Sequence, residues 1–479
     1  MRTFGNLLAF SPELWLLLGA IGILVASRFT TARTTTVMAV ATLVLALAAL
    51  ATQFKQTIVI LDGAFLLDGF AIVLDVVVLG AAALSLLASR ADILPGDADD
   101  AAAPAFYLLA TLGALLAISA AEMISLFVSL ELLAINLSIL TALVRRGAGS
   151  IAVSLGYTLG GAAASGLLLY GLALLFGLSG QTQLNAVGTA LARVGPNQAA
   201  IFLMLSLLII GLGFWLGLLP LRWWVRGFEV GVALRALILI YSVGVVASFA
   251  VFGRIVVTSF SGTAIAYAPV LAMVAAVTMT AGTLLSITQN SLRRMVVYSA
   301  IGQAGFGLAA LTDARHVGMP ALVVYLVALA LTSIAAYAAV IAYARSIHTD
   351  SLRDLAGIVA PMPALALALS LALLSMAGVP PLAGFLGKLL ILQATVNGGY
   401  AWLAVIGIVN IVIATLGYAR VLKLAFIDPP VYEVVPVRLD PGIRAAVLLA
   451  SVGVVFMGVL LSPLYRAATY AGTALLHGR

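Results

Sequence analysis

The sequence predicts an all-α, polytopic membrane protein of about fourteen transmembrane helices, and three observations predict it. The 479 residues are 64% hydrophobic. Only 9% are charged, where a soluble chain carries roughly 25%. Apolar runs of about twenty residues, the length one helix needs to cross the hydrocarbon, recur from end to end.

Spans are expected near 8–27, 35–53, 66–88, 104–119, 123–143, 150–177, 198–219, 232–252, 265–287, 295–312, 319–343, 360–397, 401–425 and 443–463. The first follows one arginine and an apolar run without a small-residue cleavage pattern, so it reads as a retained span. The seventh is followed by Pro220. The twelfth is too long for one straight crossing and contains Gly378, Pro380, Pro381 and Gly384, which are expected to break it into two half-helices. No soluble domain is apparent. The polar stretches 89–103 and 426–442 read as connectors, the first acidic through Asp92, Asp97, Asp99 and Asp100.

With the N-terminus outside, sixteen Arg and Lys residues fall in inner loops and seven outside. That asymmetry fits the positive-inside rule with both termini outside. Lys388 is left over, inside a span. The net charge of +7 is therefore a matter of topology and no sign of nucleic-acid binding. There are no cysteines, which excludes disulfides and thiolate ligation of metals or clusters by this chain. His316, His348 and His477 are scattered over loops and the terminus, so no metal site is expected.

Gly213-Phe214-Trp215-Leu216-Gly217-Leu218-Leu219 resembles Gly384-Phe385-Leu386-Gly387-Lys388-Leu389-Leu390. Each lies in the fourth helix of a five-helix block, and an odd number of spans per block inverts the second copy. Inverted repeats with broken helices point to a transporter site. The expected organisation is an N-terminal three-helix segment (1–103), a first repeat (104–252), a second repeat (253–426) and a C-terminal helix segment (427–479), with helices seven and twelve broken.

An ionisable side chain at a helix centre costs at least ~2.5–3.5 kcal/mol and is a functional hypothesis by default. Glu131 sits mid-span; a neutral Glu hydrogen-bonded to a neighbouring helix is the competing reading. Lys388 lies in the second half of the broken helix. The chain has three lysines against twenty-one arginines, yet the cation inside the membrane is Lys. Arginine stays charged, whereas a desolvated lysine can release its proton. The competing reading is a lysine snorkelling to an interface, and residues 389–396 continue the span beyond it. Asp68 is expected at the interface and Asp75 deeper. Thr280, Asn290, Tyr298, Ser299, Gln303, Tyr325, Thr332 and Tyr337 could line a hydrated path or make interhelical hydrogen bonds.

These residues carry a family resemblance. The stretches are Leu130-Glu131-Leu132, Ala164-Ser165-Gly166-Leu167-Leu168-Leu169-Tyr170-Gly171, Gly211-Leu212-Gly213-Phe214, Arg293-Arg294-Met295-Val296-Val297-Tyr298-Ser299 and Gly378-Val379-Pro380-Pro381-Leu382-Ala383-Gly384-Phe385-Leu386-Gly387-Lys388. Over about 105–425 the chain resembles the antiporter-like membrane subunits of respiratory complex I, most closely subunit N of bacterial NADH–quinone oxidoreductase. The resemblance implies a proton path along a central hydrophilic axis, with Glu131 and Lys388 at its first and last positions. Its middle lysines are replaced: Trp215 and Val245 stand at two of them, and Gly156 at a third on the sixth helix. The first half-channel is thus expected to be degenerate and the second, around Lys388, retained.

The resemblance further implies other membrane-arm subunits as partners and the bacterial cytoplasmic membrane as location. The chain itself holds no cofactor; the parent complex is expected to use NADH, FMN, iron–sulfur clusters and quinone. A non-pumping structural subunit of the same complex and a Mrp-type cation/proton antiporter subunit are the alternatives.

Overall fold

The structure is a computed structural model and describes residues 9–54, 56–89, 98–143, 148–195, 198–218, 232–260, 264–430 and 440–477. Pro220 and the loop after it lie outside the described residues, as do Asp92 and Asp97.

In hydrocarbon every backbone N–H and C=O needs an internal partner, and helices provide it. α1 (Ser11–Ala26) opens with Pro12 in its first turn, where a missing N–H costs nothing. It returns as α2 (Ala32–Ala51). Gln53 at the end of this hairpin donates to the Ala9 carbonyl at 3.0 Å and to Ser11 Oγ at 3.1 Å. Strands β1 (Ile58–Ile60) and β2 (Phe65–Leu67) form a small antiparallel ribbon, a β element absent from the all-α expectation. Asp68 follows, and its Oδ1 accepts the Ala71 N–H at 2.8 Å, capping α3 (Gly69–Ser89).

The chain continues as α4 (Ala98–Ser119), α5 (Met123–Ala142), α6 (Ala148–Ser179), the short α7 (Leu184–Val194) and α8 (Gln198–Leu216). Then come α9 (Leu234–Ser259), α10 (Ala264–Ile287), α11 (Leu292–Ala310) and α12 (Met319–Ile347). The last helices are α13 (Pro363–Ala377), α14 (Ala383–Asn397), α15 (Ala401–Phe426), α16 (Pro441–Val459) and α17 (Leu461–His477). Among the described residues eleven helical runs are long and apolar enough to cross a membrane, and one of them, Leu292–Ile347, contains both α11 and α12. The chain is an all-helical, polytopic membrane protein apart from the short ribbon.

α9 and α12 form the centre of the bundle. α9 is buried along its whole length and α12 nearly so. The outer helices show large apolar side chains to their surroundings, among them Leu18, Val25, Ile124, Val128, Leu159, Met273, Val405 and Val452. A surface of this kind is matched to lipid tails or to neighbouring membrane helices. Isolated β-bridges gather the loops at two ends: Phe65 with Ala120 and Glu122 with Gln183 at one, Ser291 with Ser351 at the other.

Three expectations are corrected. The eighth span, expected to end near 252, runs to Ser259, because Arg254 is no loop charge. It lies 2% exposed and bidentate on Asp68, at 2.9 and 3.0 Å, and donates through Nε to the Ile118 carbonyl. Asp68 is accordingly a buried ion-pair partner. Asp100 is no solvated connector residue either; it is buried against Arg235 at 2.7 Å. Helices α7 and α17 were not anticipated. Both are amphipathic, and a search for continuous apolar runs passes over such segments.

Candidate functional site: a lysine on an interrupted helix

The helical run 363–397 stops at Ala377 and restarts at Ala383. Gly378 takes φ +90°, a left-handed conformation that ends α13 and that glycine adopts without steric cost. Pro380 and Pro381 follow without N–H groups to continue the helix. The interruption frees the last carbonyls of α13 from helical partners.

Lys388, in the second turn of α14, folds back onto them. Its Nζ donates to the Met376 carbonyl and, at 3.5 Å, to that of Ala377. The same nitrogen stands 4.4 Å from the ring centroid of Phe306 on α11. Lys388 is only 2% exposed and makes no ion pair among the described residues. Snorkelling to an interface is excluded by this burial. The cost of the charge, ~2.5–3.5 kcal/mol on insertion scales, is met by three effects. Hydrogen bonds from a charged donor contribute ~1.5–3 kcal/mol, the aromatic face ~0.5–2 kcal/mol, and the negative end of α13 ~0.3–1 kcal/mol. Cost and compensation are of the same order.

Around the amine lies a polar cluster. Gln303 on α11 donates through Nε2 to the same Met376 carbonyl at 2.9 Å. Tyr325 on α12 donates to Gln303, to its backbone carbonyl at 2.8 Å and its Oε1 at 2.9 Å. Thr332 pairs with Ser375 at 2.8 Å, and Ser375 Oγ accepts the Gly384 N–H at 3.2 Å. Gly387 lets α14 approach α12 closely, since a Cβ there would lie 2.9 Å from Tyr325 Cα.

The remaining candidates divide. Ser299 bonds Ser286 at 2.8 Å and accepts from Tyr418 at 2.8 Å, a separate network between α10, α11 and α15. Thr280 accepts from Asn410 at 3.0 Å. Tyr298 is half-buried beside Ser299. Tyr337 stacks on Tyr241, centroids 5.1 Å apart, in the core between α12 and α9. Asn290 is exposed at the end of the bundle.

Glu131 is elsewhere. It is half-buried on α5 and lines a cavity of about 270 Å³ with Ser138, Thr158, Gly161, Ser165 and Trp215. Trp215 thus lines the same cavity as Glu131, where it offers one N–H and no titratable group. Its indole packs against Phe214 and Tyr157, with centroids 5.0 and 5.9 Å away, and is accommodated by Gly161. Val245 is buried and begins the regular part of α9 after a π turn at Ile240–Gly244. Gly156 is half-buried on α6. Among the buried acids that escaped the sequence reading is Glu13, in the first turn of α1, 7% exposed. Its signal was available as an ionisable residue inside the first apolar run.

Residues 120–414 match the family NADH:quinone oxidoreductase/Mrp antiporter, TM. The chain belongs to this family. It is 30% identical over 481 residues, 99% of both chains, to an NADH-quinone oxidoreductase subunit N of Parvibaculum lavamentivorans. It is 32% identical to an NAD(P)H-quinone oxidoreductase subunit 2 of Nostoc sp., over 92% of this chain and 87% of the relative. Among solved structures it resembles a chain of respiratory complex I from Thermus thermophilus, with TM-score 0.80, 26% identity and coverage of 95% and 99%. A chain of the Mrp complex from Dietzia sp. shares the fold at TM-score 0.87 and 20% identity, over 99% of this chain and 98% of that one. The family resemblance read from the motifs is borne out.

Proposed function

We propose that this chain is a proton-translocating, antiporter-like membrane-arm subunit of a complex I-type NADH–quinone oxidoreductase, with Lys388 as its proton-exchanging group. One observation carries the reading: the buried amine is held on carbonyls freed by a helix interruption, among Gln303, Tyr325, Ser375 and Thr332. Polar groups in hydrogen-bond succession, with water between them, are what a proton needs to move. Redox energy released elsewhere in the assembly would change the field or hydration at Lys388 and so its proton affinity.

In this reading the protein has fourteen spans arranged as two inverted five-helix repeats, and both termini face outside the bacterial cytoplasmic membrane. Its partners are other membrane-arm subunits. NADH, FMN, iron–sulfur clusters and quinone are assigned to those other subunits; for the clusters, a chain without cysteine supplies no thiolate ligand. The half around Glu131 is interrupted by Trp215 and Val245, and proton movement is assigned to the half around Lys388.

The packing of Trp215 against Tyr157, Phe214 and Gly161 supports a second reading, a structural subunit that no longer pumps. A third, a Mrp-type antiporter subunit outside any redox enzyme, has behind it the shared fold and a family that takes in Mrp antiporters. Lys388→Met in the assembled complex separates the first two. The proposal expects fewer protons pumped per electron with assembly intact; an unchanged proton-to-electron ratio supports the structural subunit.

A further inference from the structure

Three buried hydroxyls between α10, α11 and α15 lie one helical turn from the Lys388 cluster. Ser286 donates to the Met295 carbonyl at 2.9 Å. A hydroxyl carries one proton, so the 2.8 Å bond between Ser286 and Ser299 is donated by Ser299. Tyr418 donates to Ser299 at 2.8 Å. The three form a chain with one direction, from Tyr418 through Ser299 to Ser286.

The chain starts near one end of the bundle. Ser286 is in the last turn of α10, which ends at Ile287, and the exposed Thr288 and Asn290 follow it. Ser291 bridges to Ser351 at the same end. Gln303 stands four residues after Ser299 on the same face of α11, ~6 Å along the helix. It shares the Met376 carbonyl with Lys388. The step from Ser299 to Gln303 also has a hydroxyl beside it. Gly302 leaves its place on α11 open, and Thr283 Oγ1 on α10 lies 3.2 Å from where a Cβ would stand. Polar groups therefore reach from Ser291 to Gln303, ~18 Å of helix.

Holding the helices together does not require these hydroxyls. α10 and α11 already meet backbone on backbone: a Cβ on Gly282 would collide with the Gly302 nitrogen, and one on Gly305 with that of Met279. A buried hydroxyl costs ~1–3 kcal/mol unless it is hydrogen-bonded, a cost that an apolar side chain avoids. Hydroxyls in succession, leading from an exposed end toward a buried amine, have the connectivity that a moving proton needs.

We propose that Ser286, Ser299 and Tyr418 are a proton relay that joins the Asn290 end of the bundle to Lys388. The inference rests on the reading of Lys388 as the proton-exchanging group and adds its route of access. In each transfer a hydroxyl oxygen forms one O–H bond to the arriving proton and breaks the one it held. The hydroxyl is left unchanged and one proton has moved. Water in the step between Ser299 and Gln303 passes the proton on, and the neutral Lys388 amine takes it up as ammonium. Gln303 orients that step without titrating.

Protons pumped per electron by the assembled complex in proteoliposomes test the relay. Ser299→Ala and Tyr418→Phe each remove one hydroxyl and keep the rest of the packing. Each is expected to lower the ratio toward that of Lys388→Met, and neither should lower it further when combined with Lys388→Met. Ser299→Thr keeps the hydroxyl and should pump as wild type does, which loss of packing alone would not explain. If one variant does not assemble, Ser286→Ala takes its place. A wild-type ratio in Ser299→Ala and Tyr418→Phe beside a lowered one in Lys388→Met overturns the relay and leaves the reading of Lys388 standing. A wild-type ratio in Lys388→Met overturns both. Equal losses in Ser299→Thr and Ser299→Ala also overturn the relay, because the hydroxyl would then be irrelevant.

Discussion

Replacing Gly378 by Ala perturbs the interruption and the lysine together. The residue sits at φ +90° and ψ +44°, where a side chain costs ~1–2 kcal/mol. The new Cβ would lie 3.1 Å from Lys388 Cδ. The lysine stem is flexible, but its ammonium is tied to the Met376 and Ala377 carbonyls. It can yield only by stretching hydrogen bonds worth ~1.5–3 kcal/mol each. Gly399 is a built-in control: φ is +85° there too, and nothing lies within 4 Å of the added carbon. Gly399→Ala is therefore expected to lose ~1–2 kcal/mol through the backbone alone, and Gly378→Ala ~2–4 kcal/mol once lysine displacement is added. Thermal unfolding of the assembled complex and protons pumped per electron in proteoliposomes read the two effects. Both variants should unfold earlier, and only Gly378→Ala should pump less. Equal pumping by the two would refute the idea that the interruption positions Lys388.

Two other perturbations probe separate parts of the fold. Trp215→Lys places an amine in the cavity of Glu131 and is expected to raise the number of protons pumped per electron; an unchanged ratio would mean that the path is not cut at this residue. Arg254→Met leaves Asp68 buried and unpaired and should destabilise the bundle by ~3–5 kcal/mol, whereas Arg254→Met with Asp68→Asn should recover most of it; no recovery in thermal unfolding would show that the pair is not what holds α3 to α9.

The all-helical membrane character, the apolar belt and the break near Gly378 are legible in the sequence because each depends on a local property: run length, hydropathy, a glycine followed by two prolines. Lys388 was legible because one lysine stood inside an apolar run of a chain that otherwise uses arginine. Partners across the bundle were not. Arg254 and Asp68 are 186 residues apart, and nothing in either flanking sequence signals that they meet. Asp100 looked like part of a solvated acidic loop for the same reason. Glu13 stands in the sequence as an acid inside the first apolar run, but its burial is a property of the packed bundle. Gln303 and Tyr325 were visible as polar residues in spans, yet only packing of α11, α12 and α14 separates them from Ser299 and Thr280.

In the proposed function the amine of Lys388 exchanges a proton and does not merely carry charge. Lys388→Arg keeps the charge and its hydrogen-bonding capacity but removes proton release. Measured beside Lys388→Met in the same proteoliposomes, the arginine variant is expected to pump as few protons per electron as the methionine one. Wild-type pumping by Lys388→Arg would contradict the account, because a fixed positive charge would then suffice.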